Sequence, residues 1–105
     1  MQLLQENSEQ VQIALSGELT IYQVHALYEF LTPWVEKNGD LLLDIEQVTD
    51  LDTSTIQLLL MIHKVKRQQH QRCVLLGENP LLHQVIEKLG VNSMVSRLVV
   101  QSNLK

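Results

Sequence analysis

Residues 41–60 read LLLDIEQVTDLDTSTIQLLL, and the architecture follows from how that run divides. Leu41-Leu42-Leu43-Asp44-Ile45 is a short, nearly continuous apolar run bounded by turn-like residues, which suits a central strand covered on both faces. A short polar loop follows. From Ser54 to about Gln69, Leu58, Ile62 and Val65 share one helical stripe, widened by Leu59 and Leu60. Ser54 reads as the N-cap of this helix, and Gln57 three residues later completes a capping box. The first turns are apolar nearly all round, so the helix lies against a sheet or offers an apolar patch to a partner. Its last turns and the residues just beyond collect Lys64, Lys66, Arg67, His70 and Arg72, charges that read as a solvated helix end and favour its negative pole.

Working towards the N-terminus, Val11, Ile13 and Leu15 alternate with Gln12 and Ala14, the period of a strand over 11–16 with one buried face. Leu3 and Leu4 begin an edge strand that pairs with it, and Gly17-Glu18 reads as a turn. A first helix starts at Thr20, where Gln23 offers another capping box. Val24, Leu27 and Leu31 form its stripe, with Phe30 and Trp34 alongside; Pro33 kinks or ends it and Asn38-Gly39 stops it. Tyr22, Tyr28 and Trp34 read as core or rim packing rather than a ligand box. Towards the C-terminus, Cys73–Leu76 is a buried strand. Asn79 caps a third helix, with Pro80 at its first position, Leu82, Val85, Ile86 and Leu89 on its buried face and Gly90 past its end. A last strand is expected at Met94–Leu98, before a frayed tail from Gln101.

Strands alternating with helices require crossover connections. The expected fold is α/β, a mixed, mainly parallel sheet of four to five strands with three helices. Leu43, Leu59, Leu75, Val85 and Ile86 should be nearly buried.

Composition narrows the function. A chain of 105 residues suits a single domain, and 45% hydrophobic against 19% charged residues excludes disorder. The net charge of −4 lacks the basic excess of a general nucleic-acid binder. Cys73 is the only cysteine, so no internal disulfide forms, and it reads as a core residue. The start MQLLQENSEQ has no basic n-region or long apolar stretch, and the run Leu58–Ile62 is far too short to span a bilayer, so a cytoplasmic protein is expected. No phosphate-cradling glycine loop is present. His25, His63, His70 and His83 form no metal-ligand spacing, and His63 and His70 read as solvent-facing. Asp44, Asp50 and Asp52 offer at most a weak Mg²⁺ or acid–base set, with no nucleophile–base pair beside them. No catalytic residue, metal or cofactor is expected.

The run Leu43-Asp44-Ile45, Val48, Leu51-Asp52-Thr53-Ser54-Thr55-Ile56 and Leu58-Leu59-Leu60 resembles the STAS domain family, named for sulfate transporters and anti-sigma-factor antagonists. There a strand ends in Asp, and Asp-Ser-Ser-Gly-Leu or Asp-Thr-Ala-Gly-Leu opens a leucine-rich helix. Gly17-Glu18-Leu19-Thr20 resembles the family's Gly-Glu-Leu-Asp turn. Val74-Leu75-Leu76-Gly77-Glu78-Asn79-Pro80 and Leu89-Gly90-Val91 resemble its later strand, Pro-headed helix and closing Gly-Val. The resemblance covers about residues 8–99, in the family's order.

The resemblance implies a non-enzymatic protein-binding module of bacterial signalling. In anti-sigma-factor antagonists the second hydroxyl residue of the motif is phosphorylated by the partner kinase; the matching residue here is Ser54. Asp52, Thr53, Ser54, Thr55 and Gln57 are then the residues offered to an anti-sigma-factor-like serine kinase/ATPase. The departure is Thr55, larger and β-branched where the family has Gly or Ala, which changes access to Ser54. The alternative is a small adaptor subunit of a phospholipid-transporting ABC complex, docking on its ATPase, with Thr53 matching that subgroup's Asp-Thr. An enzyme built on Asp44, Asp50 and Asp52 is the reading the residues favour least.

Overall fold

Alternating apolar residues in neighbouring strands line up across the sheet and generate the core. In the computed structural model, which describes residues 1–89 and 99–101, the chain runs β1 (Gln2–Glu6), β2 (Gln10–Leu19), α1 (Val24–Glu36), β3 (Asp40–Leu51), α2 (Thr53–Gln68), β4 (Cys73–Leu76), α3 (Pro80–Leu89) and β5 (Val99–Gln101). The strands lie in chain order, with β1 antiparallel to β2 and every later pairing parallel. Register sets Ile13 beside Leu43 and Leu43 beside Leu75; Val11, Leu41 and Cys73 form a second row. These residues join Leu27 and Leu31 of α1, Ile56, Leu59 and Ile62 of α2, and Leu82 and Val85 of α3 in one buried cluster. Each such side chain contributes about 1.5–3 kcal/mol by leaving water. Leu42, Val74 and Leu76 point the other way and are buried too, so β3 and β4 are covered on both faces.

Of the expected core residues, Leu43, Leu59, Leu75 and Val85 are buried, while the side chain of Ile86 lies outside the described residues. The edge strand from Leu3 and Leu4 forms, β4 has the expected bounds, and Asn79 caps α3 by accepting the Leu81 N–H at 3.0 Å. The strand expected at Met94–Leu98 lies outside the described residues, as does Gly90; the described last strand is Val99–Gln101.

Several expectations give way. Gly17-Glu18 is no turn, because β2 continues to Leu19 with Gly17 at φ +76°. The polar loop expected after Asp44 is strand as well, since β3 runs on to Leu51. The pairing explains both. Ala14 faces Asp44 but Ser16 faces Gln47, and Gly17 faces Val48 but Glu18 faces Asp50. At each shift β3 holds one residue more than β2, the signature of a bulge, and Gly17 supplies the left-handed backbone at the second. Polar residues can therefore continue the ladder.

Helix α1 starts at Val24 rather than Thr20. The Thr20 hydroxyl is committed as a donor to Gln23 Oε1 at 2.7 Å, and residues 20–23 close as a turn through Gln23 N–H on Thr20 O at 2.9 Å. Pro33 does not end α1, which continues to Glu36; in this last turn its missing N–H removes a single helical bond. Tyr22 is neither core nor rim, being 89% exposed, whereas Phe30 and Trp34 pack together with ring centroids 5.3 Å apart.

Two residues of α2 read as solvated are inside. His63 is buried. Lys66 is fully buried, and its Nζ donates to Lys37 O at 2.7 Å and Gly39 O at 2.8 Å. Burial pushes its ammonium pKa below the ordinary value, and the nearby Asp40 carboxylate pulls it part of the way back. A long stem that reaches two backbone carbonyls makes a buried lysine tolerable. Beside it, burial pushes the Cys73 thiol up to about 12, so this is a core sulfur and no nucleophile at neutral pH.

Candidate functional site

The parallel strands β2 and β3 end together, with Leu19 beside Leu51. The chain then turns into α2 through Asp52, whose backbone is extended at φ −127° and ψ −178°. One carboxylate oxygen, Oδ1, accepts the N–H groups of Ser54 at 3.1 Å and Thr55 at 3.3 Å. Asp52 is therefore the N-cap, and the expectation that Ser54 caps α2 is corrected. The sequence Asp-Thr-Ser-Thr contains several residues able to cap, and the end of β3 selects the first of them.

Ser54 becomes the second residue of the helix, half-buried, and among the described residues no hydrogen bond engages its hydroxyl. It stands where the positive end of the helix dipole favours added negative charge. Thr53 and Gln57 are exposed one turn apart on α2, and Met61 continues that stripe. Thr55 is different. It is fully buried, and its Oγ1 donates to Leu19 O at 2.6 Å. Its bulk, expected to change access to Ser54, is taken up beneath the helix, where it pins the first turn of α2 to the end of β2.

The other Asp52 oxygen, Oδ2, accepts the N–H of Ile21 at 2.8 Å and so ties the β2–α1 connection to the start of α2. Sequence reasoning missed this link, since a bond between residues 31 apart leaves no local signal. Asp44 and Asp50 are each bonded within their own stretch of chain. Asp44 on β3 accepts the Glu46 N–H at 3.0 Å, and Asp50 accepts the Leu51 N–H at 2.9 Å. No group of three metal-ligating side chains comes together among the described residues. Glu18 and Asp50 are exposed register partners at the strand ends, so the rim around this corner is acidic.

The capping assignment gives a prediction. Asp52→Ala should cost about 2 kcal/mol, the upper range for a lost cap, because the Ile21 tie goes with it. Ser54→Ala should cost less than about 0.5 kcal/mol, as for an ordinary surface change. Urea melts of the two variants check this, and the reverse order would restore Ser54 as the cap.

The family model described as "Mlab, STAS domain" matches residues 3–100. The chain belongs to the STAS domain family. No curated protein sequence matches it. Among solved structures, the anti-sigma factor antagonist SpoIIAA in its unphosphorylated form is similar at a TM-score of 0.76 and 20% identity, over 99% of this chain and 88% of that one. That likeness shows the fold, including the mixed sheet and its three helices. In this STAS domain α2 opens with the helix cap Asp52, the exposed Thr53 and the half-buried Ser54. Among the described residues, no helix is long and apolar enough to cross a membrane.

Proposed function

We propose that this STAS domain is a non-enzymatic, cytoplasmic protein-binding module of bacterial signalling, which presents the N-terminal face of α2 to an anti-sigma-factor-like serine kinase/ATPase. Asp52, Thr53, Ser54 and Gln57 form the contact surface, with Thr55 fixing its geometry from below. Ser54 is the phospho-acceptor. The observation that carries this reading is the division of labour between Asp52 and Ser54. Asp52 holds the helix start, which leaves the Ser54 hydroxyl without a structural bond among the described residues. A phosphate there would add about −1.5 to −2 charge at a helix N-terminus, which tolerates it, so the fold survives while an already acidic surface becomes more negative and more strongly hydrated.

The test is incubation with ATP and an anti-sigma-factor-like serine kinase/ATPase from the same organism, read by mass spectrometry. A single phosphate on Ser54, absent from Ser54→Ala, is expected. A second reading, the adaptor subunit docking on a phospholipid-transporting ABC ATPase, draws on Thr53 following Asp52 and standing exposed at the helix start. Stable co-purification with such an ATPase, with no phosphate incorporated, would favour it over the switch.

A further inference from the structure

The turn between β2 and α1 is held firmly and yet carries apolar side chains into water. Gln23 N–H donates to Thr20 O at 2.9 Å, and Gln23 Oε1 accepts from Thr20 N at 3.0 Å and Thr20 Oγ1 at 2.7 Å. Ile21 N–H is fixed on Asp52 Oδ2 at 2.8 Å. At its tip Ile21 is 60% exposed and Tyr22 89% exposed. A scattered exposed apolar residue needs no explanation. An adjacent pair on a turn that is bonded to the cap of α2, and so cannot fold back onto the core, is a different case. Binding to such a group costs little backbone ordering, and Tyr is the kind of residue that dominates interface energetics.

The surroundings state the partner's chemistry. Glu18 and Asp50 lie exposed on neighbouring strands just before the turn and the helix start, and Asp52 adds a third carboxylate at the same corner. We infer that Ile21 and Tyr22 are the apolar anchor of the partner-binding surface, set beside Ser54 by Asp52, and that the partner receives them in an apolar pocket bordered by Lys or Arg side chains. This rests on the reading above, and the occupant is the serine kinase/ATPase. The anchor supplies affinity that is independent of the phosphorylation state, and Ser54, two residues beyond the cap, modulates it.

The experiment is calorimetric titration of that kinase with the wild-type domain, Ile21→Ala, Tyr22→Ala, Tyr22→Phe and the double variant Glu18→Gln/Asp50→Asn, at low and high salt. Thermal melts confirm that each variant is folded; no loss is expected where the side chain stands in water. Tyr22→Ala should weaken binding by about thirtyfold or more and Ile21→Ala by about tenfold, with Tyr22→Phe restoring most of the affinity. The double variant should flatten the salt dependence. If wild type binds the kinase and Tyr22→Ala binds equally well, the anchor is wrong while the functional reading stands. If wild type does not bind the kinase at all, the functional reading falls and takes the occupant with it.

Discussion

Replacing Lys66 with alanine should cost the domain about 3–5 kcal/mol, the loss expected when a long buried side chain and its hydrogen bonds are removed together. Lys66 reaches from α2 beneath the end of α1 and donates to Lys37 O and Gly39 O, the carbonyls of the connection into β3. Alanine deletes a stem worth about 0.8 kcal/mol for each buried methylene and leaves a cavity beside Cys73. It also leaves the carbonyl of Gly39, itself buried, without its donor. Lys66→Met separates these effects. Methionine keeps most of the volume and abolishes the burial of a charge, so only the orphaned acceptors should register, at about 1–3 kcal/mol. Guanidinium melts of both variants give the comparison. A loss below about 1 kcal/mol in Lys66→Ala, the level of an ordinary surface substitution, would show that Lys66 spends its time outside the core.

The same residue shows what the sequence could and could not convey. Lys66 sits among charges at the end of a helix, and locally that pattern means a solvated terminus. Only the α1–β3 connection, folded beneath the helix, turns it into a buried clasp. Local patterns were sufficient where local physics decides. Val11, Ile13 and Leu15 alternate and are buried, and Asn79-Pro80 opens α3 as its chemistry requires. The strand β4 needed nothing beyond its apolar run. Local patterns failed where a distant strand or helix decides. Residues 46–51 are polar enough to read as a loop, but β2 extends past Gly17 and offers them a bulged ladder. Thr55 read as a surface residue until Leu19 O claimed its hydroxyl. At the site itself the motif was legible as a strand end followed by a helix start. The assignment of the cap to Asp52, and the bond from its other oxygen to Ile21, depended on the geometry with which the ends of β2 and β3 meet.

The reassignment sharpens what a charge at Ser54 should do. Ser54→Asp should leave the melting temperature near wild type and raise the dissociation constant for the proposed kinase partner a hundredfold or more. In the isolated domain the new carboxylate sits at the second position of α2, close to the positive end of the helix dipole, a placement worth a few tenths of a kcal/mol to about 1 kcal/mol. Asp52 stays in place as cap, so the helix start is not lost, and repulsion from its carboxylate offsets part of that gain in a setting still open to water. In the complex the balance reverses. The added charge must give up its hydration against a surface shaped for a neutral hydroxyl, beside the carboxylates of Asp50 and Asp52. The partner's basic side chains are already matched to Glu18 and Asp50, so the extra charge is unpaired there and costs a few kcal/mol, which converts to about two orders of magnitude in affinity. Ser54→Asn is the control, because it has nearly the same shape without the charge and should bind far better than Ser54→Asp. A thermal melt beside a titration against the kinase tests both halves. A Ser54→Asp variant that binds as tightly as a wild type confirmed to bind would remove the switch and leave a fixed adaptor as the account of this surface.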